Sequence, residues 1–134
     1  MYIEEAFVDH IKTNVTQKLY PEEIPQDTVL PAIVYMKISD VKEHSLTGQY
    51  AFERPVFQFT VFALKKSESR DLLESLKTVL CDFQGTMGGI YIQKIELQNE
   101  LSALETSAGG ITPDGTTRVY TEIVEFEFNY ERVQ

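Results

Sequence analysis

The chain reads as an α+β domain, a small and mainly antiparallel sheet with two amphipathic helices packed on it and long hairpin or loop excursions. Apolar residues recur at helical spacing in two segments, Ile3, Phe7, Ile11 and Val15 early on and Leu72, Leu73, Leu76, Val79, Leu80 and Phe83 later. They alternate at strand spacing in two others, around Phe57-Gln58-Phe59-Thr60-Val61 and Phe126-Glu127-Phe128-Asn129-Tyr130. At 134 residues these elements fit one domain, 1–134, large enough for a core without disulfide or metal staples.

The first helix is expected over residues 3 to 15 and ends before Tyr20-Pro21. The stretch from Pro21 to Pro31 cannot continue a helix and reads as an extended connection. Pro31 then heads a strand, because the first position can lack a ladder donor, and Ala32 to Ile38 is β-branched and aromatic. Ser39 to Arg54 is polar, either a surface loop or the exposed tip of a long hairpin. Val56 to Leu64 returns as a strand with Phe57, Phe59, Val61 and Ala63 inward and Val56, Gln58, Thr60 and Phe62 outward.

Ser67 or Ser69 is the expected N-cap of the second helix, with Glu68 and Asp71 at its positive end and Gly85 as its C-terminal stop. Gly88-Gly89 precedes a third strand, Ile90 to Leu97, and residues 99–116 read as a long loop. In the last strand Tyr120, Val124, Phe126, Phe128 and Tyr130 share one side; Thr121, Glu125, Glu127 and Asn129 share the other, with Ile123 the apolar exception. Phe62, Val56, Ile123 and Val119 leave apolar material on the second face for a neighbouring subunit to cover. The residues show no internal repeat.

Charge and composition exclude several classes. Twelve basic against twenty-one acidic residues give a net charge of −9, which opposes sequence-independent binding to nucleic acid or anionic lipid. The imbalance lies mostly in the second half: residues 1–66 carry seven basic and nine acidic side chains, residues 67–134 five and twelve. No apolar run reaches the ~18–20 residues of a membrane span, and the acidic start Met1-Tyr2-Ile3-Glu4-Glu5 is unlike a secretory signal, so synthesis in a cytosol-like compartment is expected.

Catalytic chemistry finds little to use. His10 and His44 form no motif and read as solvated helix and loop residues. Cys81 is the single cysteine and sits at a helix C-terminus, where nothing activates a thiol. Glu125 and Glu127 alternate as the wet face of a strand, and Gly88-Gly89 and Gly109-Gly110 lack the spacing of a phosphate cradle. Neither a metal site nor a cofactor site is expected.

Taken in order, the first helix, the Pro-bounded segment, Leu30-Pro31-Ala32-Ile33-Val34-Tyr35, the Leu46-Thr47-Gly48 excursion, Phe57-Gln58-Phe59-Thr60-Val61-Phe62-Ala63 and the Leu-rich helix resemble a phage family. It is the tail-completion, or tail-to-head joining, family of long-tailed bacteriophages with non-contractile tails, which are tail-terminator-like ring proteins. The resemblance runs over essentially the whole chain and includes the terminal aromatic strand. It implies a structural virion protein without enzymatic activity, made in the host bacterial cytoplasm and placed at the head-tail interface. The implied partners are further copies of itself in a hexameric ring, the tail tube protein and the head connector or stopper protein, with DNA passing through the lumen unbound.

On this resemblance the excursions 40–55 and 99–116 meet the neighbours. The expected contact residues are Lys42, His44, Leu46, Gln49, Tyr50, Phe52 and Arg54 in the first, and Leu101, Leu104, Ile111 and, just beyond the second, Arg118. The acids of residues 119–131 are expected to line the lumen, where they offer DNA phosphates nothing to hold. A tail terminator that caps tube growth is the close alternative. From another class, a small cytosolic ligand-binding or enzymatic α+β domain would instead need a pocket with convergent polar groups.

Overall fold

Six strands and two helices account for the residues described by this computed structural model, which are 2–25, 28–44, 50–106 and 118–131. Helix α1, Ile3–Asn14, buries Ile3, Ala6, Phe7 and Ile11, the face that the i+4 spacing predicts. Glu4 and Glu5 lie in its first turn and Lys12 in its last, each sign at the favourable end of the helix dipole. After it comes a strand that three residues are too few to announce: β1, Leu19–Pro21, pairs in parallel with the start of β2, Ala32–His44. Ile33 donates to the Lys18 carbonyl at 2.9 Å and Glu22 to the Tyr35 carbonyl at 2.8 Å, which clamps the connection expected to be merely extended.

β2 and β3, Tyr50–Ala63, form one long antiparallel hairpin from Ala32↔Phe62 to His44↔Tyr50. The polar segment 39–54 is therefore strand over most of its length, the hairpin form of the expectation, and Ser45 to Gln49 lie outside the described residues. Helix α2, Lys66–Leu80, starts earlier and ends earlier than its sequence signals suggest. Its N-cap is Lys65 with no side-chain cap, so neither Ser67 nor Ser69 caps it. Ser69 is buried in the first turn, where its hydroxyl donates to the Lys66 carbonyl at 2.8 Å. Gly85 does not stop the helix either: Cys81 is the C-cap, Asp82 takes the left-handed turn at φ 60°, and Phe83 lies outside the helix.

Gly85 instead opens β4, Gly85–Met87, which returns through Gly88-Gly89 into β5, Ile90–Thr106. Both turn glycines have positive φ, 56° and 86°, the conformation that a two-residue hairpin of primed type demands. β5 runs on to Thr106 and pairs with β6, Arg118–Glu131, so the expected loop 99–116 is strand as far as Thr106. Residues 107–117 lie outside the described residues. The sheet order is β1-β2-β3-β6-β5-β4, antiparallel throughout except for β1 with β2, consistent with an α+β fold.

Both helices pack on one face of this sheet. Phe7 of α1 stacks on Phe128 of β6 with ring centres 5.1 Å apart and meets Phe57 and Phe59 of β3 edge-on at 4.8 and 5.5 Å. Leu73, Leu76 and Leu80 of α2 join the same cluster, together with Ile92 and Ile95 of β5 and Val124 and Phe126 of β6. Each fully buried Phe or Leu stabilises the fold by about 1.5–3 kcal/mol relative to an exposed one, and the cluster is continuous from α1 to α2. The two halves of the chain share an element order, α1-β1-β2-β3 and α2-β4-β5-β6, each a helix, a three-residue strand and a long hairpin, but β1 runs parallel to its neighbour and β4 antiparallel. The halves meet at β3 and β6, and the sheet order reads the same from either edge, short, long, long.

Candidate assembly surfaces

The hairpins turn at opposite ends of the sheet. β3 and β6 are antiparallel neighbours, so β2-β3 closes at the end where Phe52 meets Glu131, while β5-β6 closes beyond the other, where Ala63 meets Tyr120. Each expected contact residue falls on one of these two arms or outside the described residues. On the first arm Val41↔Arg54, Lys42↔Glu53, Glu43↔Phe52 and His44↔Tyr50 are paired positions, and Arg54 is half-buried. On the second, Leu101↔Ile123, Leu104↔Tyr120 and Thr106↔Arg118 are paired. Leu46, Gln49 and Ile111 lie outside the described residues. The two groups are thus separated by the length of the sheet, not gathered into one site.

The face without helices is the second surface. Cross-strand rows define it: Val34, Thr60, Ile123 and Leu101 in one, Met36, Gln58, Glu125 and Asn99 in the next, and Ser39, Val56, Glu127 and Glu96 in a third. It is apolar toward the β5-β6 turn and acidic toward the β2-β3 turn. Glu96 and Glu127 stand directly opposite each other, a like-charged pair. Val56, Phe62 and Ile123 are half-buried on this face, whereas Val119 is fully buried.

Glu122 departs from the other β6 acids. Its even number puts it on the helix side, where it is 5% exposed and accepts a hydrogen bond from the Ser102 hydroxyl. The period-two pattern that assigned Val124 and Phe126 inward also contains Glu122, and its charge hid it. It lines a recess of about 310 Å³ with Lys66, Arg70, Leu73, Glu74, Glu100 and Ser102. At that recess Lys77 reaches Glu100 at 3.3 Å and Glu74 at 3.4 Å, fastening α2 to β5. Mixed charges in ion pairs make this a seam between helix and sheet rather than a cavity for an apolar ligand.

Burial shifts several titratable groups outside the seam. His10 packs edge-on against Phe83 at 5.2 Å, and burial lowers its pKa, which favours the neutral ring. Burial, and next the Asp82 carboxylate, push the Cys81 thiol up, so it stays protonated at neutral pH. Tyr130 is raised far above the usual phenol value by burial and then by its hydrogen bond to Glu53. Among the described residues no helix is long and apolar enough to cross a membrane, and no group of three or more His, Cys, Asp or Glu is placed to hold a metal ion.

Comparison with known proteins bears on the fold. No family model and no curated protein matches the sequence. The fold is similar to that of a chain in a solved structure described as the virion of a native gene transfer agent (GTA) particle. The similarity has a TM-score of 0.60 at 9% identity and covers 91% of this chain and 84% of that one. At that identity, what the two chains have in common is their fold.

Proposed function

We propose that this chain is a structural protein of a phage-like virion that assembles as a ring, six copies on the family resemblance, and joins the completed tail to the capsid connector. In this reading it performs no catalysis. The observation that carries it is the placement of the two hairpin turns at opposite ends of the sheet. A joining ring needs one contact surface for the tail tube and another for the connector, and the arms supply one at each end of a rigid sheet-and-helix body. The likeness to a chain of a GTA virion, over most of both chains, supports a virion component.

The helix-free face supports the DNA passage. Turned inward, it presents Glu96, Glu125 and Glu127 to the lumen, so phosphates meet carboxylates and few contacts form. The lumen group is therefore narrower than the sequence suggests, because Glu122 faces the helices.

Electron microscopy of particles produced without this protein tests the role. Tails of normal length beside tailless, filled capsids are the expected result. Overlong tail tubes would instead make it a tail terminator, and intact infectious particles would overturn both and return the chain to the enzyme or ligand-binding class.

A further inference from the structure

The outer strands of the sheet leave most of the two long edges bare. β1 pairs only with Ile33, Val34 and Tyr35 of β2, and β4 only with Ile90, Tyr91 and Ile92 of β5. Beyond those points the outer side of β2 from Met36 to His44, and of β5 from Glu96 to Thr106 once the Asp82 N–H has taken the Ile95 carbonyl at 3.0 Å, has no strand partner among the described residues. Such long free edges are a standing invitation to pair with another chain. Large apolar side chains lie exposed on both: Met36 and Ile38 on β2 at 43% and 42%, and Leu101 on β5 at 45%.

We infer that the partner is a second copy of this chain, the free β2 edge of one copy pairing antiparallel with the free β5 edge of the next. Three observations favour a copy over another protein. β2 and β5 run in opposite directions, since each successive pair across β2-β3-β6-β5 is antiparallel, so head-to-tail joining continues the sheet without a break in pattern. The free stretches are also staggered: Ser39 is level with Glu96, whereas Glu100 is level with Tyr35, inside the part of β2 that β1 covers. Bringing one free arm to the other shifts neighbours along the strand axis, the shear that closing a sheet into a ring requires. Finally, Met36 and Leu101 lie on the helix-free face, so pairing covers both in one seam.

Register shifts between Lys37 and Ser39 on β2 and between Leu97 and Asn99 on β5 interrupt each free edge. They pin the register and discourage sliding, which limits the edges to a defined partner. The pairing presupposes the ring reading above and specifies its interface.

Because the interface is heterologous, it has a distinctive test. Sedimentation velocity on the full chain is expected to show concentration-dependent multimers. Ile38→Lys and Leu101→Lys, both at exposed positions, are each expected to raise the midpoint concentration for assembly at least about tenfold, with unchanged melting temperature. An equimolar mixture of the two variants retains one sound interface per pair and should stop at the heterodimer. Variants that assemble like the parent would overturn the edge pairing while leaving a ring intact. A parent chain that stays monomeric at every concentration would overturn the ring reading as well.

Discussion

The Tyr130 hydroxyl donates to Glu53 Oε2 at 2.6 Å, tying the last strand to the first hairpin across 77 residues of sequence. Tyr130 is 8% exposed, so burial first and then this bond hold its phenol protonated, and the bond gives the carboxylate a donor at the base of the β2-β3 arm. Tyr130→Phe removes that donor with little change in volume. It should destabilise the chain by about 1.5 kcal/mol in urea unfolding. Combined with Glu53→Gln, the loss should be less than additive.

Phe7→Ala should be far more damaging. Its ring contacts Phe57, Phe59 and Phe128 at once, and truncation leaves a cavity between α1 and the two central strands. About 3–5 kcal/mol is expected, a large share of the roughly 5–15 kcal/mol that holds a domain together. Phe62→Ala, on the half-buried face, should cost less than half as much. Circular dichroism melts of the two variants would separate them.

His10 makes stability depend on mild acid. Burial lowers its pKa in the fold below the ordinary 6.5 that it keeps when unfolded. Between those values the unfolded chain binds more protons, so its contribution is whole above 6.5 and is lost as pH falls through 6.5 toward the folded value. His10→Gln should be less stable at pH about 7.5, yet lose less of its melting temperature between pH about 7.5 and about 5.5 than the parent does.

Glu127→Lys should stabilise the isolated chain. Glu96 stands directly across from it, so reversing one charge replaces repulsion with attraction, worth about 0.2–1 kcal/mol. If the helix-free face lines the DNA passage, the same change should slow DNA ejection at low salt and recover at high salt. A variant that destabilises the monomer would show that the two carboxylates are not in repulsive contact.

Legibility in the sequence followed the length and regularity of each element. α2 and β6 announce themselves because Leu73, Leu76 and Leu80, or Phe126 and Phe128, repeat a period over several turns or pleats. β1 and β4 do not, since three residues carry no period. Asn99, Glu100 and Ser102 look like loop because an outer strand has wet side chains, although their backbone is paired with β6. The excursions 40–55 and 99–116 coincide with hairpin arms over their described parts, but that the arms turn at opposite ends depends on β3 lying beside β6, a long-range choice that no local pattern states.

The shared element order of the two halves gives the molecule a long hairpin arm at each end of the sheet, so the order of elements does not tell one end from the other. The side chains remove the ambiguity. The half that builds the β2-β3 arm, residues 1–65, carries six basic and nine acidic residues, the half that builds the β5-β6 arm six and twelve. Two hairpin arms with unequal charge would give such a body polarity in any stack that used both, with electrostatics rather than element order telling one end from the other.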